Sequence, residues 1–151
     1  MQKTMKKTLS IILAILMIVT TVPFAFAADV VASGACGANG DNLTWSLDSD
    51  GLLTISGEGK MQAIFSYTEQ PWEDYERDIK EVVVEEGVTT IGDYAFYDCE
   101  SLTSIDLPEG LTTIGNSVFS YCRSLTSIDL PESITTIGND AFYYCNSLTR
   151  I

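Results

Sequence analysis

Leu102-Thr103-Ser104-Ile105-Asp106-Leu107-Pro108-Glu109-Gly110-Leu111-Thr112-Thr113-Ile114-Gly115-Asn116-Ser117-Val118-Phe119-Ser120-Tyr121-Cys122-Arg123-Ser124 is followed without a gap by Leu125–Ser147, which matches it at 17 of 23 positions. The 23 residues before it, Ile79–Ser101, keep the skeleton with β-branched substitutes: Ile79, Val82 and Val84 stand where the later units have Leu, Ile and Leu. A fourth unit runs from Leu148 to Ile151. Self-similarity at such a period marks a chain whose units cannot bury an apolar face singly and do so by stacking.

The apolar columns turn this repeat into structure. Ile105-Asp106-Leu107 alternates in, out, in, as a short half-buried strand does. Pro108 and Pro131 lack the ladder N–H and end the pairing there. Leu111 and Ile114, repeated as Ile134 and Ile137, make a second apolar patch. Gly92, Gly115 and Gly138 follow it and are expected to turn a corner at positive φ. Asp93, Asn116 and Asn139 come next, suited to cap a short helical turn that carries Phe96, Phe119 and Phe142 inward. Stacking at about 4.8 Å per coil makes every repeated letter a column.

Cys99, Cys122 and Cys145 share one such column. A disulfide framework uses irregular spacings that bridge distant loops. Thiols in register are expected instead to form, with the three Phe, a buried structural ladder of small, weakly polar side chains. Cys36 lies outside the repeat and has two readings, a free thiol or a partner of Cys99. Without a C-x-x-C pair or a histidine, a redox or catalytic role has no support.

The unit resembles the BspA-like bacterial surface-antigen class of leucine-rich repeat. The motifs that carry the resemblance are Leu102 to Pro108, Thr113 to Gly115 and Val118 to Cys122, with their counterparts in the neighbouring units, over residues 79–151. Ser33-Gly34-Ala35-Cys36-Gly37 through Met61, with Pro71-Trp72 behind it, is similar to the lead-in of secreted members. The resemblance implies a right-handed leucine-rich-repeat solenoid, β-rich with short helical turns, and in some members adhesion to host or neighbouring-cell proteins.

Upstream, residues 28–78 do not repeat and read as a small N-terminal β-hairpin cap. Leu43-Thr44-Trp45-Ser46-Leu47 and Leu52-Leu53-Thr54-Ile55-Ser56 alternate like strands around Asp48-Ser49-Asp50-Gly51, a hairpin signal. A calcium loop would need an acid where Ser46 stands and a Glu where Gly57 stands. The cap would cover the open apolar end of the first coil, with Trp45 and Trp72 in its core or, alternatively, as a sugar platform. Residues 1–27 read as a signal peptide: Lys3, Lys6 and Lys7, an apolar stretch from Leu9 to Val22, then Ala25-Phe26-Ala27. The stretch falls short of the roughly 20 residues a membrane span needs, and Ser33-Gly34-Ala35-Cys36 is no lipobox. Stopping at Ile151 inside a coil suggests a fragment or truncated gene product.

Composition removes whole classes of function. The 151 residues carry 8 Lys+Arg, 21 Asp+Glu and no His, so Ser-His-Asp and Cys-His catalysis and His-ligated metals are out. Loss of residues 1–27 takes three Lys and no acid, leaving 5 Lys+Arg against 21 Asp+Glu, a net charge of -16. Such a surface repels nucleic acid and anionic membranes. Paired-carboxylate hydrolysis needs a cleft, Gly57 and Gly59 open no phosphate loop, and neither an enzyme nor a cofactor is expected.

Function is left to the outward columns. Asp106 and Asp129, with Thr103 and Thr126 beside them, form either a wet acidic face or a docking strip for a cation or a Lys/Arg-rich partner. Glu86, Glu109 and Glu132 make a second acidic row. Tyr97, Tyr121, Tyr143 and Tyr144 form the other candidate, because tyrosine gives large contact area at low entropy cost; equally, the rings could only shield the Phe beneath. Asn42-Leu43-Thr44 matches a glycosylation acceptor. The expectation is a secreted, cell-surface-associated binding module for a protein ligand. The alternative is a non-catalytic spacer region of a larger exported, wall-anchored protein or enzyme. Calcium-dependent stability of the acidic face is a third reading.

Overall fold

The computed structural model describes residues 28–151; the signal peptide expected at 1–27 lies outside them. Among the described residues nine strands form in chain order: β1 Val30–Gly37, β2 Gly40–Asp48, β3 Leu52–Gly57, β4 Gly59–Lys60, β5 Glu81–Val84, β6 Val88–Ile91, β7 Ser104–Asp106, β8 Thr113–Ile114 and β9 Thr136–Ile137. They make two sheets, ordered β1-β2-β3-β5-β7 and β4-β6-β8-β9. β1, β2 and β3 pair antiparallel, and every later pairing is parallel.

Alternation decides which face each strand buries. Leu43, Trp45 and Leu47 of β2 point into the core with Leu53 and Ile55 of β3. The parallel ladders keep the repeat in register: Val82 lies opposite Ile105, and Thr113 and Ile114 lie opposite Thr136 and Ile137, each one 23-residue unit on. The first sheet thins beyond β7, where Ser127 and Arg150 keep only an isolated parallel bridge. Between the sheets the rings of Phe96, Phe119 and Phe142 stack at 5.6 and 5.5 Å, nearly parallel at 11°. Trp72 extends that column, 5.4 Å from Phe96 at 15°.

Two expectations about the turn after each glycine are corrected. The first is the helical turn. The only helical segments among the described residues are two short 3-10 turns, Tyr67–Glu69 and Glu73–Tyr75, both ahead of the repeats. In each coil the chain instead describes an arc in which alternate N–H groups leave for the next coil. Tyr94, Phe96 and Asp98 donate to the carbonyls of Asn116, Val118 and Ser120, and Ser117, Phe119 and Tyr121 to those of Asn139, Ala141 and Tyr143. A helix would return every N–H to its own turn. Asp93 and Asn116 are accordingly not caps of their own coil. Asp93 Oδ1 accepts from the Asn116 N–H and Asn116 Oδ1 from the Asn139 N–H, both at 2.8 Å, forming a ladder along the stack.

The second correction concerns Gly92, Gly115 and Gly138, none of which has positive φ. Their need for glycine is one of space. A Cβ would sit 2.6 Å from the Gln62 carbonyl oxygen, 2.7 Å from the Asp93 nitrogen and 2.5 Å from the Asn116 nitrogen, respectively. The left-handed positions fall at Tyr94, Asp98, Ser117, Tyr121, Asp140 and Tyr144, with φ between 53° and 64°. That geometry costs a residue with a Cβ about 1–2 kcal/mol. Each inter-coil hydrogen bond contributes about 0.5–1.5 kcal/mol, so the alternating bonds of the arc are of the right size to hold it.

At the first coil the arc carbonyls have no preceding coil to pair with. Trp72 Nε1 donates to the Ala95 carbonyl at 2.8 Å, and Gln70 Nε2 donates to those of Tyr94 and Tyr97 at 2.6 and 3.0 Å. Ala95 and Tyr97 are the counterparts, one unit earlier, of Val118 and Ser120. Two side chains of the lead-in thus supply the donors that a coil backbone supplies elsewhere.

Candidate functional site: a tyrosine edge

The left-handed positions set the outer edge of each arc. Tyr121 and Tyr144 occupy equivalent positions one coil apart, and their shared backbone geometry lays the rings parallel, 5.3 Å apart at 12°. Asp98 holds that position in the first coil. There the neighbouring Tyr97 meets Tyr121 edge-on at 5.4 Å, and Tyr67, from the first 3-10 turn, stacks on Tyr97 at 5.1 Å. Tyr94 packs edge-on to Tyr97 at 5.9 Å, and Tyr143 to Tyr144 at 4.5 Å and to Tyr121 at 5.7 Å. Six rings form one continuous ribbon across three coils. Tyr67, Tyr143 and Tyr144 are about half exposed.

All four tyrosines singled out from the sequence lie in this ribbon. Tyr67 and Tyr94 were not among them. Tyr67 belongs to no repeat, and Tyr94 is the lone ring in a column that continues as Ser117 and Asp140, so neither gives a periodic signal.

Carboxylates flank one end. A cavity of about 260 Å³ is lined by Tyr67, Thr68, Glu73, Asp74, Glu76, Tyr97 and Asp98. A second, of about 370 Å³, opens beside it between Tyr67, Tyr97, Tyr121, Glu100 and Arg123. Burial, then the charge of Asp98, pushes the Glu76 carboxyl up, and Arg77 opposes the shift. Burial also raises the Tyr97 phenol, with Tyr121 adding to it.

The strand-face column is differently placed. Asp106 and Asp129 are exposed, but Asp129 pairs with Arg150 at 3.1 Å. The Thr103 hydroxyl donates to the Lys80 carbonyl at 3.0 Å, and the Thr126 carbonyl accepts from both the N–H and the hydroxyl of Thr149. Those threonines staple coils together. In the second acidic row the Glu86 carboxylate accepts from the Glu109 N–H at 3.0 Å. Asp48 Oδ1 is occupied by the N–H groups of Asp50 and Leu52 at 2.9 Å, as a turn acceptor. Asn42 donates to the Glu58 carbonyl at 2.8 Å and accepts from the Asn39 N–H, so its amide is engaged within the lead-in. Trp45 and Trp72 are both buried, edge-to-face at 5.9 Å. Among the described residues no group of three or more His, Cys, Asp or Glu is arranged to hold a metal ion, and no helix is long and apolar enough to cross a membrane.

A family model described as the BspA type leucine-rich repeat region (6 copies) matches residues 74–151, just over half of the chain. The chain belongs to that family. Comparison with curated proteins finds no match. Among solved structures, the BspA-type chain is similar to a leucine-rich repeat protein from Eubacterium ventriosum, with 26% identity and a TM-score of 0.60. The match covers 80% of this chain and 40% of that one. It also resembles the leucine-rich repeat protein of T. pallidum, at 28% identity, TM-score 0.49, covering 71% of this chain and 56% of that one. The BspA-type chain therefore spans less than two thirds of the length of these structural relatives, and shares a β-rich leucine-rich-repeat fold with the first.

The thiols of the BspA-type coils sit inside that fold. Cys36, Cys99, Cys122 and Cys145 are all free. Cys122 Sγ lies 3.1 Å from the Phe96 carbonyl oxygen and Cys145 Sγ 3.0 Å from that of Phe119, as weak donors within the stack. Burial pushes the Cys36 thiol up to about 12 and the Cys145 thiol up to about 11, and raises Cys99 and Cys122 as well. A thiol that ionises at pH ~9 when unfolded but only near 12 when folded binds more protons in the native state between those values. Stability is therefore full below pH ~9 and falls as the pH rises toward 12. The melting temperature should be flat from pH 7 to 8.5 and drop above it. Cys36→Ala should shallow that drop, and an identical profile in the variant would refute the assignment.

Proposed function

We propose that this chain is a secreted bacterial binding module, in which a short right-handed leucine-rich-repeat solenoid over residues 79–151 engages a protein ligand. In this reading residues 1–27 direct export and residues 28–78 cap the first coil. The side-chain donors Gln70 and Trp72, closing the carbonyl row of the first arc, support the cap. The observation that carries the binding role is the unbroken ribbon of six tyrosines, half of whose rings are about half exposed. Rigid amphipathic rings give contact area with little entropy lost on docking. The ribbon is favoured over the Asp106 and Asp129 column because there Arg150 already pairs with one carboxylate and the Thr103 hydroxyl is spent on a coil-to-coil bond.

The test is capture of surface proteins from host or neighbouring cells by immobilised protein, followed by identification of the retained partner and titration. Tyr121→Ala combined with Tyr144→Ala should weaken the complex at least tenfold, since buried interface tyrosines are frequent hot spots. Asp106→Asn combined with Asp129→Asn should change it less than threefold. Full retention by the tyrosine double variant refutes the ribbon as the binding surface.

A further inference from the structure

The two ends of the tyrosine ribbon differ in charge. Toward Tyr67 the rings are flanked by Glu73, Asp74, Glu76, Asp98 and Glu100. The ion pairs among the described residues are Arg123 with Glu100 and Arg150 with Asp129; Glu73, Asp74, Glu76 and Asp98 have none. Four carboxylates and two stacked phenol rings therefore line the same 260 Å³ cavity with no cation paired among them. Burial first, and then the charge of Asp98, pushes the Glu76 carboxyl upward against the opposing charge of Arg77.

The chain itself shows what such a surface accepts. One coil further on, the Arg123 guanidinium lies 5.7 Å from the centroid of the Tyr121 ring and 3.2 Å from Glu100 Oε1. A planar cation is thus held between a phenol face and a carboxylate at the neighbouring position of the same ribbon. Toward Tyr67 the ring and the carboxylates recur, and Arg77, whose charge draws the Glu76 carboxyl down, forms no ion pair with any of them. Aromatic faces and carboxylates attract a cation additively, and guanidinium is the less strongly hydrated of the two basic side chains.

We infer that the Tyr67–Tyr97 end of the ribbon is a docking groove for an extended protein segment rich in Arg or Lys, with one basic side chain seated between Tyr67, Tyr97, Glu76 and Asp98. This rests on the ribbon being the binding surface and adds the chemistry of the partner. Neutral oligosaccharide is the rival occupant of an aromatic ribbon; its hydroxyls can donate to the carboxylates, but it leaves their gathered negative charge uncompensated. The surface charge of -16 on residues 28–151 adds long-range steering of a basic segment, steep in ionic strength.

The test titrates the purified full chain, by calorimetry in 50 mM salt, with an octapeptide alternating Arg and Gly, the same peptide with Gln for Arg, and cellohexaose. The Arg peptide should bind, the Gln peptide at least tenfold more weakly. Raising the salt to 300 mM should weaken the Arg peptide by a further tenfold or so. Glu76→Gln with Asp98→Asn should weaken it about tenfold; Asn tolerates the left-handed backbone at position 98, so the fold is kept. Tyr67→Ala, on an exposed ring, should weaken it two- to fivefold. Equal binding of the Arg and Gln peptides, binding of cellohexaose in place of the Arg peptide, or an unchanged affinity in the carboxylate variant overturns the inference. Should the tyrosine double variant lose the captured protein while the Arg peptide fails to bind, the groove chemistry is wrong and the binding surface stands. Should capture survive that double variant, the surface itself is wrong.

Discussion

Phe119→Ala should destabilise the protein by about 3–5 kcal/mol, the range for removing a fully buried phenylalanine. Phe119 is the central ring of its column, 5.6 Å from Phe96 and 5.5 Å from Phe142, and is wholly buried. In a stack where each coil touches only its neighbours, a hole in the middle coil weakens both interfaces at once. Phe142→Ala removes the same atoms from a partly exposed site with one phenylalanine neighbour and should cost less than half as much. Urea unfolding of the two variants measures the difference in midpoint. Equal shifts would mean that the rings do not act as a continuous core. Since domains of this size retain only about 5–15 kcal/mol of net stability, Phe119→Ala is expected to leave a protein close to unfolding at 37 °C.

Gly115→Ala is the second large effect. A methyl there would lie 2.7 Å from the Asp93 nitrogen and 2.9 Å from the Gly92 carbonyl carbon. Both are backbone atoms of the preceding coil and cannot swing aside as a flexible side chain would. Relief requires the two coils to separate, which also stretches the Asn116 N–H bond to Asp93. Overpacking of this kind costs about 1–3 kcal/mol, and the broken ladder bond adds to it. Gly110→Ala is the control. Its Cβ would meet only Glu86 Oε2 at 3.9 Å and its φ is not positive, so the change should be neutral or stabilise by about 0.4–1 kcal/mol. Comparable losses at the two sites would show that the glycine column is set by something other than contact between coils.

Gly115 also shows where sequence reasoning reaches and where it stops. Its recurrence at 92, 115 and 138 announces a constrained position, but φ strain and lack of room give the same letter. Only the coil spacing tells them apart. The strands were easier. Ile105 alternates with polar Ser104 and Asp106, and burial against water is a one-residue property that periodicity reports directly. The arc from Tyr94 to Asp98 was harder, because alternation of turn and inter-coil bonds leaves no hydropathy signature, and Asp93 looks the same as a helix cap or as a rung of a ladder. Of the binding edge, Tyr97, Tyr121, Tyr143 and Tyr144 were visible as near-repeats. Tyr67 entered only through tertiary folding of the lead-in, as did the carboxylates of Glu73, Asp74 and Glu76. β1 was missed because Ser33, Gly34 and Gly37 weaken its strand pattern, and its pairing with β2 is interrupted by two register shifts.

The alternating arc gives the stack a sense of direction. Along it, donors face the third coil and acceptors face the lead-in, where Gln70 and Trp72 satisfy the Ala95 and Tyr97 carbonyls. The N–H groups of Asp140, Phe142 and Tyr144 have no backbone acceptor among the described residues. Two molecules meeting symmetrically through these rims would set donor against donor, the mismatch that a two-fold axis imposes on any one-way row of bonds. Whatever packs against the third coil must therefore present carbonyl oxygens to these donors.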